Sequence, residues 1–248
     1  MPCCVLGLHT FILSLSFICL NIFIKGLTNH SSGPPLTPSV RVHLGITFMS
    51  DDITKYCDCM EEIKRRTRAI TTILSKKYTT AFPATNIEFL CLQIRKILEL
   101  IALASIAANK EEYARQYKKF ANHWNAKRIL NDIEKVNPSF YPVPGRQIID
   151  RETGKVVEVK KLKGGYLTKD EFSDVYDKCS EVIHSSNPYG TQTDYSEFEK
   201  LIPEWNLKIT NLLNHHQIQL IDSKYQLWVL MQSKDDGRVH AFTFQRVD

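Results

Sequence analysis

Two short runs hold the side chains with the most chemistry to offer. One is Gln93–Glu99, QIRKILE, where Arg95 and Glu99 stand one helical turn apart. The other is Tyr176–Pro188, YDKCSEVIHSSNP, where Lys178 precedes His184. An imidazole titrates near neutrality, so His184 has the residue type of a general acid or base. A histidine closing a helix also has a purely structural use, since its protonated form is favoured by the helix dipole by roughly 0.3–1 kcal/mol. Arg95 and Glu99 have a similar alternative, as an ion pair that holds two helices in register. They are singled out because they interrupt the most apolar stretch of the body of the chain.

That stretch, Ile87–Ala108, reads as the helix around which the others gather. Ile87, Leu90, Cys91, Ile94, Leu98 and Ile101 recur with the 3.6-residue period, and Phe89, Leu92, Leu103 and Ile106 make the opposite side nearly as apolar. A helix apolar on most of its circumference is normally enclosed by neighbours. Before it, a helix is expected from Asp52 to about Ser75, with Lys64, Arg65, Arg66 and Arg68 crowded midway. This run reads as a solvated face or a nucleic-acid contact, with the former preferred. After it, Lys110–Val136 forms a more polar amphipathic helix or helix pair that carries His123 and Trp124, stopped by Asn137-Pro138.

His184 is placed by the clearest local signal in the chain. Thr168 with Glu171 three residues on is a capping box, and Leu167 and Phe172 form the matching hydrophobic staple. Phe172, Val175, Tyr176, Cys179, Val182 and Ile183 then make one apolar face before Ser185-Ser186-Asn187-Pro188 ends the helix. Tyr195–Asn214 is a further helix containing Pro203. Between the helices, Arg146–Lys161 reads as a β-hairpin turning at Gly154, with Lys160 and Lys161 in a basic return. Beyond residue 216 the period becomes two, and Gln217–Asp222, Gln226–Gln232 and Val239–Arg246 read as a three-stranded antiparallel meander with its last turn at Asp235-Asp236-Gly237. His215-His216 is expected just before the first of these strands, and adjacent histidines in extended chain point apart, which makes a poor metal site.

The first 48 residues differ from the rest. From Cys3 to Ile24 no formal charge occurs, and 22 residues suffice to span a bilayer. Lys25 and Arg41 follow, which favours a cytoplasmic body if this segment is an anchor. The competing reading is a misplaced start. The composition changes sharply at Met49-Ser50-Asp51-Asp52, where acidic residues suit a helix N-terminus, and the balance tips slightly to this second reading.

The chain has 248 residues, 43% hydrophobic and 24% charged, which is ordinary for a globular protein. Beyond residue 48 it carries 30 Lys and Arg against 27 Asp and Glu, too even for bulk charge to imply phosphate-backbone binding. The seven cysteines form neither a zinc nor a disulfide framework, which suits a reducing compartment. No Walker loop, dinucleotide glycine fingerprint, His-Glu-x-x-His or Gly-x-Ser-x-Gly occurs, and neither a metal nor a cofactor is expected.

A helical bundle whose central helix carries QIRKILE and whose later helix ends in YDKCSEVIHSSNP resembles the HEPN class of higher-eukaryote and prokaryote nucleotide-binding domains. The resemblance spans roughly residues 52–215. It implies a homodimer acting on RNA, since many members are ribonucleases or defence and toxin proteins that line a shared cleft with an Arg-x(4–6)-His motif from each subunit. Here Lys178 stands where the motif has arginine. Lysine can neutralise a scissile phosphate as a point charge but lacks the bidentate fork. Arg95, oriented by Glu99, could supply the guanidinium if the two helices are neighbours.

The expectation is therefore an α+β chain, mainly α. Residues 1–48 form an anchor or mis-assigned leader. Residues 49–216 form a HEPN-like bundle around a central apolar helix, with the hairpin at 146–161 inserted. Residues 217–248 form the meander. The functional expectation is RNA binding or metal-independent RNA cleavage in a defence or toxin-type role, with His184, Lys178, Arg95 and Glu99 catalytic and Arg65, Arg66, Lys160 and Lys161 contacting nucleic acid. The alternative is a non-catalytic, membrane-anchored or free interaction scaffold that offers a protein partner the meander, with Trp228 and Phe242.

Overall fold

The computed structural model describes residues 51–116, 125–154, 156–185, 189–190 and 192–245. The segment from Cys3 to Ile24, Met49, His123, Trp124 and Asn187 lie outside the described residues. Among the described residues the chain is mainly α with one antiparallel sheet. No helix among them is long and apolar enough to cross a membrane.

Helix α1 runs Asp51–Leu74 and α2 runs Pro83–Ala108. Proline at the first position of α2 fits the fixed φ and missing N–H of that residue. Along α2, Ile87, Leu90, Cys91, Ile94, Ile97, Leu98, Ile101 and Ala104 are all buried, and the helix packs against α1 and every later helix. These are α3 (Lys110–Gln116), α4 (Ala126–Val136), α5 (Lys169–Ile183) and α6 (Tyr195–Leu213). The expected polar helix at 110–136 is thus seen as α3 and α4, with Asn125 capping α4 by accepting from the Arg128 amide at 3.0 Å.

Helix α5 begins as its capping box requires. The Glu171 amide donates to Thr168 Oγ1 at 3.2 Å, and the Thr168 amide donates to Glu171 Oε2 at 3.0 Å. Leu167 and Phe172 are both fully buried on either side of this cap. Helix α6 continues through Pro203.

The sheet departs from expectation in one respect. The hairpin and the meander are not separate elements but one five-stranded sheet, ordered β2-β1-β3-β4-β5. Its strands are β1 (Val143–Ile149), β2 (Val156–Lys161), β3 (His215–Gln219), β4 (Tyr225–Leu230) and β5 (His240–Gln245). The junction is Val143 opposite Gln217 and Pro144 opposite His216. Pro144 hides it in the sequence, because proline donates nothing to a ladder and argues against a central strand. The strand tolerates Pro144 because pairing passes from β3 to β2 at that point. Its carbonyl accepts from the Leu162 amide at 3.0 Å, and ladder pairs with β2 begin at Gly145.

One face of the sheet packs on the helices. His216, Ile218, Leu227 and Val229 are buried there. Helix α1 also holds the β4–β5 turn, with Lys64 Nζ donating to the Gly237 carbonyl at 2.7 Å and Glu61 Oε1 accepting from the Val239 amide at 2.6 Å. Burial works against the charge of Glu61, but the Val239 amide and Lys64 hold its carboxyl below the usual value.

Candidate functional site

Arg95 is the hub of a cluster that joins α2 to α5. Its Nε donates to Glu99 Oε1 at 3.2 Å, its Nη1 to Ser180 Oγ, and its Nη2 to the Tyr176 hydroxyl at 2.8 Å. The guanidinium carbon also lies 4.3 Å from the Tyr176 ring centroid, a cation–π contact. Tyr176 in turn donates to Glu99 Oε1 at 3.4 Å, and Ser180 Oγ donates back to the Tyr176 carbonyl at 2.6 Å. Burial raises the Tyr176 phenol above its ordinary pKa, with Arg95 opposing and Glu99 adding, so the hydroxyl stays a donor.

Helical spacing explains why these residues meet. Arg95 and Glu99 are i and i+4 on α2, and Tyr176 and Ser180 are i and i+4 on α5, so each helix presents two groups on one stripe. Cys91, one turn before Arg95, and Cys179, next to Ser180, lie buried between the same two helices. Their thiols share a hydrogen bond that, with burial, pushes the Cys179 thiol well up. A thiol in that state is a packing group rather than a nucleophile. Arg95 and Glu99 side chains are each a little over a quarter exposed, so the cluster sits at the edge of the core.

The other expected site residues are placed differently. His184 caps α5 one turn beyond Ser180 and is exposed, with extended backbone (φ −85°, ψ 146°). No hydrogen bond among the described residues joins it to the Arg95 cluster. Lys178 projects from the other side of α5, since two residues along a helix turn through about 200°, and pairs with Glu197 of α6 at 2.7 Å. The structure therefore brings Arg95, Glu99, Tyr176 and Ser180 together and leaves His184 and Lys178 on their flanks.

The basic residues of α1 divide between surface and interior. Arg65 pairs with Glu62 at 2.6 Å and is largely exposed. Arg66 also pairs with Glu62 at 2.6 Å and donates to Gln93 Oε1 of α2 at 2.8 Å, while its Nε is buried without a partner. On the hairpin, Lys160 lies 3.4 Å from Glu158, and Lys161 is exposed opposite Gly145. Among the described residues no cluster of His, Cys, Asp and Glu could hold a metal.

Two contributors escaped the sequence. The sequence reading puts Tyr176 on an apolar face and gives Ser180 no role, although their i, i+4 spacing, with Ser180 one turn before His184, is the signal available. His215 and His216 lie within β3, not before it, and both are buried. No family model, curated protein or solved structure matches the chain.

Proposed function

We propose that this chain is a HEPN-like RNA-directed protein acting as a homodimer in a reducing, cytoplasmic setting, with the α2–α5 edge as the part that meets RNA. The observation that carries this reading is the Arg95 guanidinium held beside the stripe of α5 that ends in exposed His184. Of the five N–H donors of a guanidinium, three are engaged by Glu99, Ser180 and Tyr176, which fixes its plane and leaves one donor on each Nη. A planar donor held in advance costs little ordering when it meets a phosphate oxygen. His184 supplies a general acid–base group free of competing partners among the described residues. Lys178, turned to the other side of α5 and paired with Glu197, lies off this stripe, so the guanidinium and not the lysine is the group that meets phosphate here.

The test is incubation of the purified full chain with mixed RNA beside His184→Ala and Arg95→Lys variants, with size analysis of products. Cleavage lost in His184→Ala is the expected result; identical inert profiles for all three proteins remove the catalytic claim.

A second reading, a non-catalytic interaction module, is favoured by the engagement of Arg95 on three sides, which alone would serve to lock α5 onto α2. Retained partner recovery by His184→Ala together with inert RNA profiles would select it.

A further inference from the structure

Opposite the helix-packed side, the sheet has a second face built differently. The ladder register aligns Val143, Gln217, Trp228 and Phe242 in one row across four strands. The next row runs through His215, Leu230 and His240, and the one on the other side through Gln219, Gln226 and Phe244. Trp228, Phe242 and Phe244 are half-buried, not enclosed, and α1 meets the sheet at His216, Gly237 and Val239, on its other side and at its end.

The rings on this face are organised. Trp228 and Phe244 have centroids 4.8 Å apart, His215 meets Trp228 edge-on at 5.9 Å, and His240 stacks on Phe242 at 6.3 Å. The Trp228 indole donates to Gln226 Oε1 at 3.2 Å, which fixes the ring. His215 is 94% removed from solvent, yet its Nδ1 has no hydrogen-bond partner. The strand residues of this face include no Asp or Glu, since Glu158 of β2 lies on the opposite face with Lys160 and Arg146; the one carboxylate beside it among the described contacts is Asp236 of the β4–β5 turn, engaged by His240 at 3.1 Å. Lys161, opposite Gly145 and exposed, extends the same face on its β2 side.

We infer that this face binds single-stranded RNA by stacking bases on Trp228, Phe242 and Phe244, with Lys161 meeting the phosphate backbone. Flat rings on a face whose strand residues carry no carboxylate suit an unpaired strand, because every base has a π face and a duplex hides it. Gln217, beside Trp228 in the central row, adds an amide for base edges. The inference rests on the reading of the chain as RNA-directed, and it adds a grip on the sheet to the contact at the α2–α5 edge.

The experiment is fluorescence anisotropy of a labelled oligouridine with the full chain, beside Phe242→Leu, Phe244→Leu, Trp228→Ala and His184→Ala. The leucine variants keep apolar volume and remove the π face, so unchanged melting temperatures will show that they fold. The expected result is roughly tenfold or greater weakening in the ring variants and poor competition by duplex RNA. Wild-type affinity in folded Phe242→Leu and Phe244→Leu, or no oligouridine binding by the wild-type chain, overturns the inference. So does concentration-dependent self-association that these variants abolish without any effect on RNA, because the face would then belong to a second copy. Cleavage lost in His184→Ala with unaltered binding in the ring variants would sink this inference and spare the α2–α5 reading; the reverse pattern would do the opposite.

Discussion

The Tyr56 hydroxyl lies 2.7 Å from His216 Nε2, and His216 Nδ1 lies 2.7 Å from the Leu213 carbonyl. A carbonyl only accepts, so Nδ1 carries the proton and Nε2 accepts from the phenol. The imidazole is neutral, fully enclosed, and fastens α1 to β3 and to the end of α6. Burial drives the His216 pKa down to about 4, with the Leu213 carbonyl opposing and His215 adding.

Acid should therefore loosen the fold through this one ring. The unfolded chain takes up a proton near the ordinary histidine value of 6.5, whereas the folded chain does so only near 4. The stabilisation is complete above the unfolded value and is lost as pH falls from 6.5 to 4, by an amount of order 3 kcal/mol. Urea midpoints measured across that window should fall for the wild type and change less for His216→Gln; parallel slopes would refute the assignment. Tyr56→Phe leaves the Nε2 acceptor buried without a donor and should cost about 1–3 kcal/mol at neutral pH.

Arg95 and Lys178 should separate sharply in a stability assay. Replacing Arg95 by Met strips donors from Glu99, Ser180 and Tyr176 at once and removes a cation–π contact, for a loss of about 1–3 kcal/mol. Lys178→Ala breaks one exposed pair and should shift stability by less than about 1 kcal/mol. Equal losses in chemical denaturation would mean that the α2–α5 cluster is not the clamp its geometry describes.

Gly145→Ala should be costly although the position is only half-buried. A Cβ built there would lie 2.9 Å from Val159 Cγ1 and 3.0 Å from His215 Nδ1. Both are side chains set in the packed sheet, one of them a buried ring against Trp228, so neither moves without disturbing its row. The expected penalty is about 1–3 kcal/mol, read as a lower thermal midpoint with the far-ultraviolet spectrum retained. A midpoint equal to that of the wild type would show that the hairpin yields freely.

The helices were legible because their signals are local. The capping box at Thr168, the apolar circumference of α2 and the period of α1 each depend on residues within a few turns of one another. The strands were legible as strands but not as one sheet, since nothing near Val143 in the chain announces Gln217, and Pro144 points the other way. The candidate site shows the same division. The Arg95–Glu99 pair was visible because it lies on one helix. Its closure by Tyr176 and Ser180 depends on how α5 is rotated against α2, which packing decides. Lys178 and His184 share a helix, yet their spacing in the sequence did not disclose that Lys178 turns towards α6.

The strand order has a bearing on how the molecule comes into being. β1 stands second in the sheet, but the neighbour on its inner side is synthesised only after two intervening helices. Until His215–Gln219 leaves the ribosome, a nascent chain holds β1 and β2 as a lone hairpin, a structure of marginal stability in water. The long-range closure that follows is the slow kind of folding event. During that interval the exposed backbone edge of β1 is open to any other chain that carries an unpaired strand.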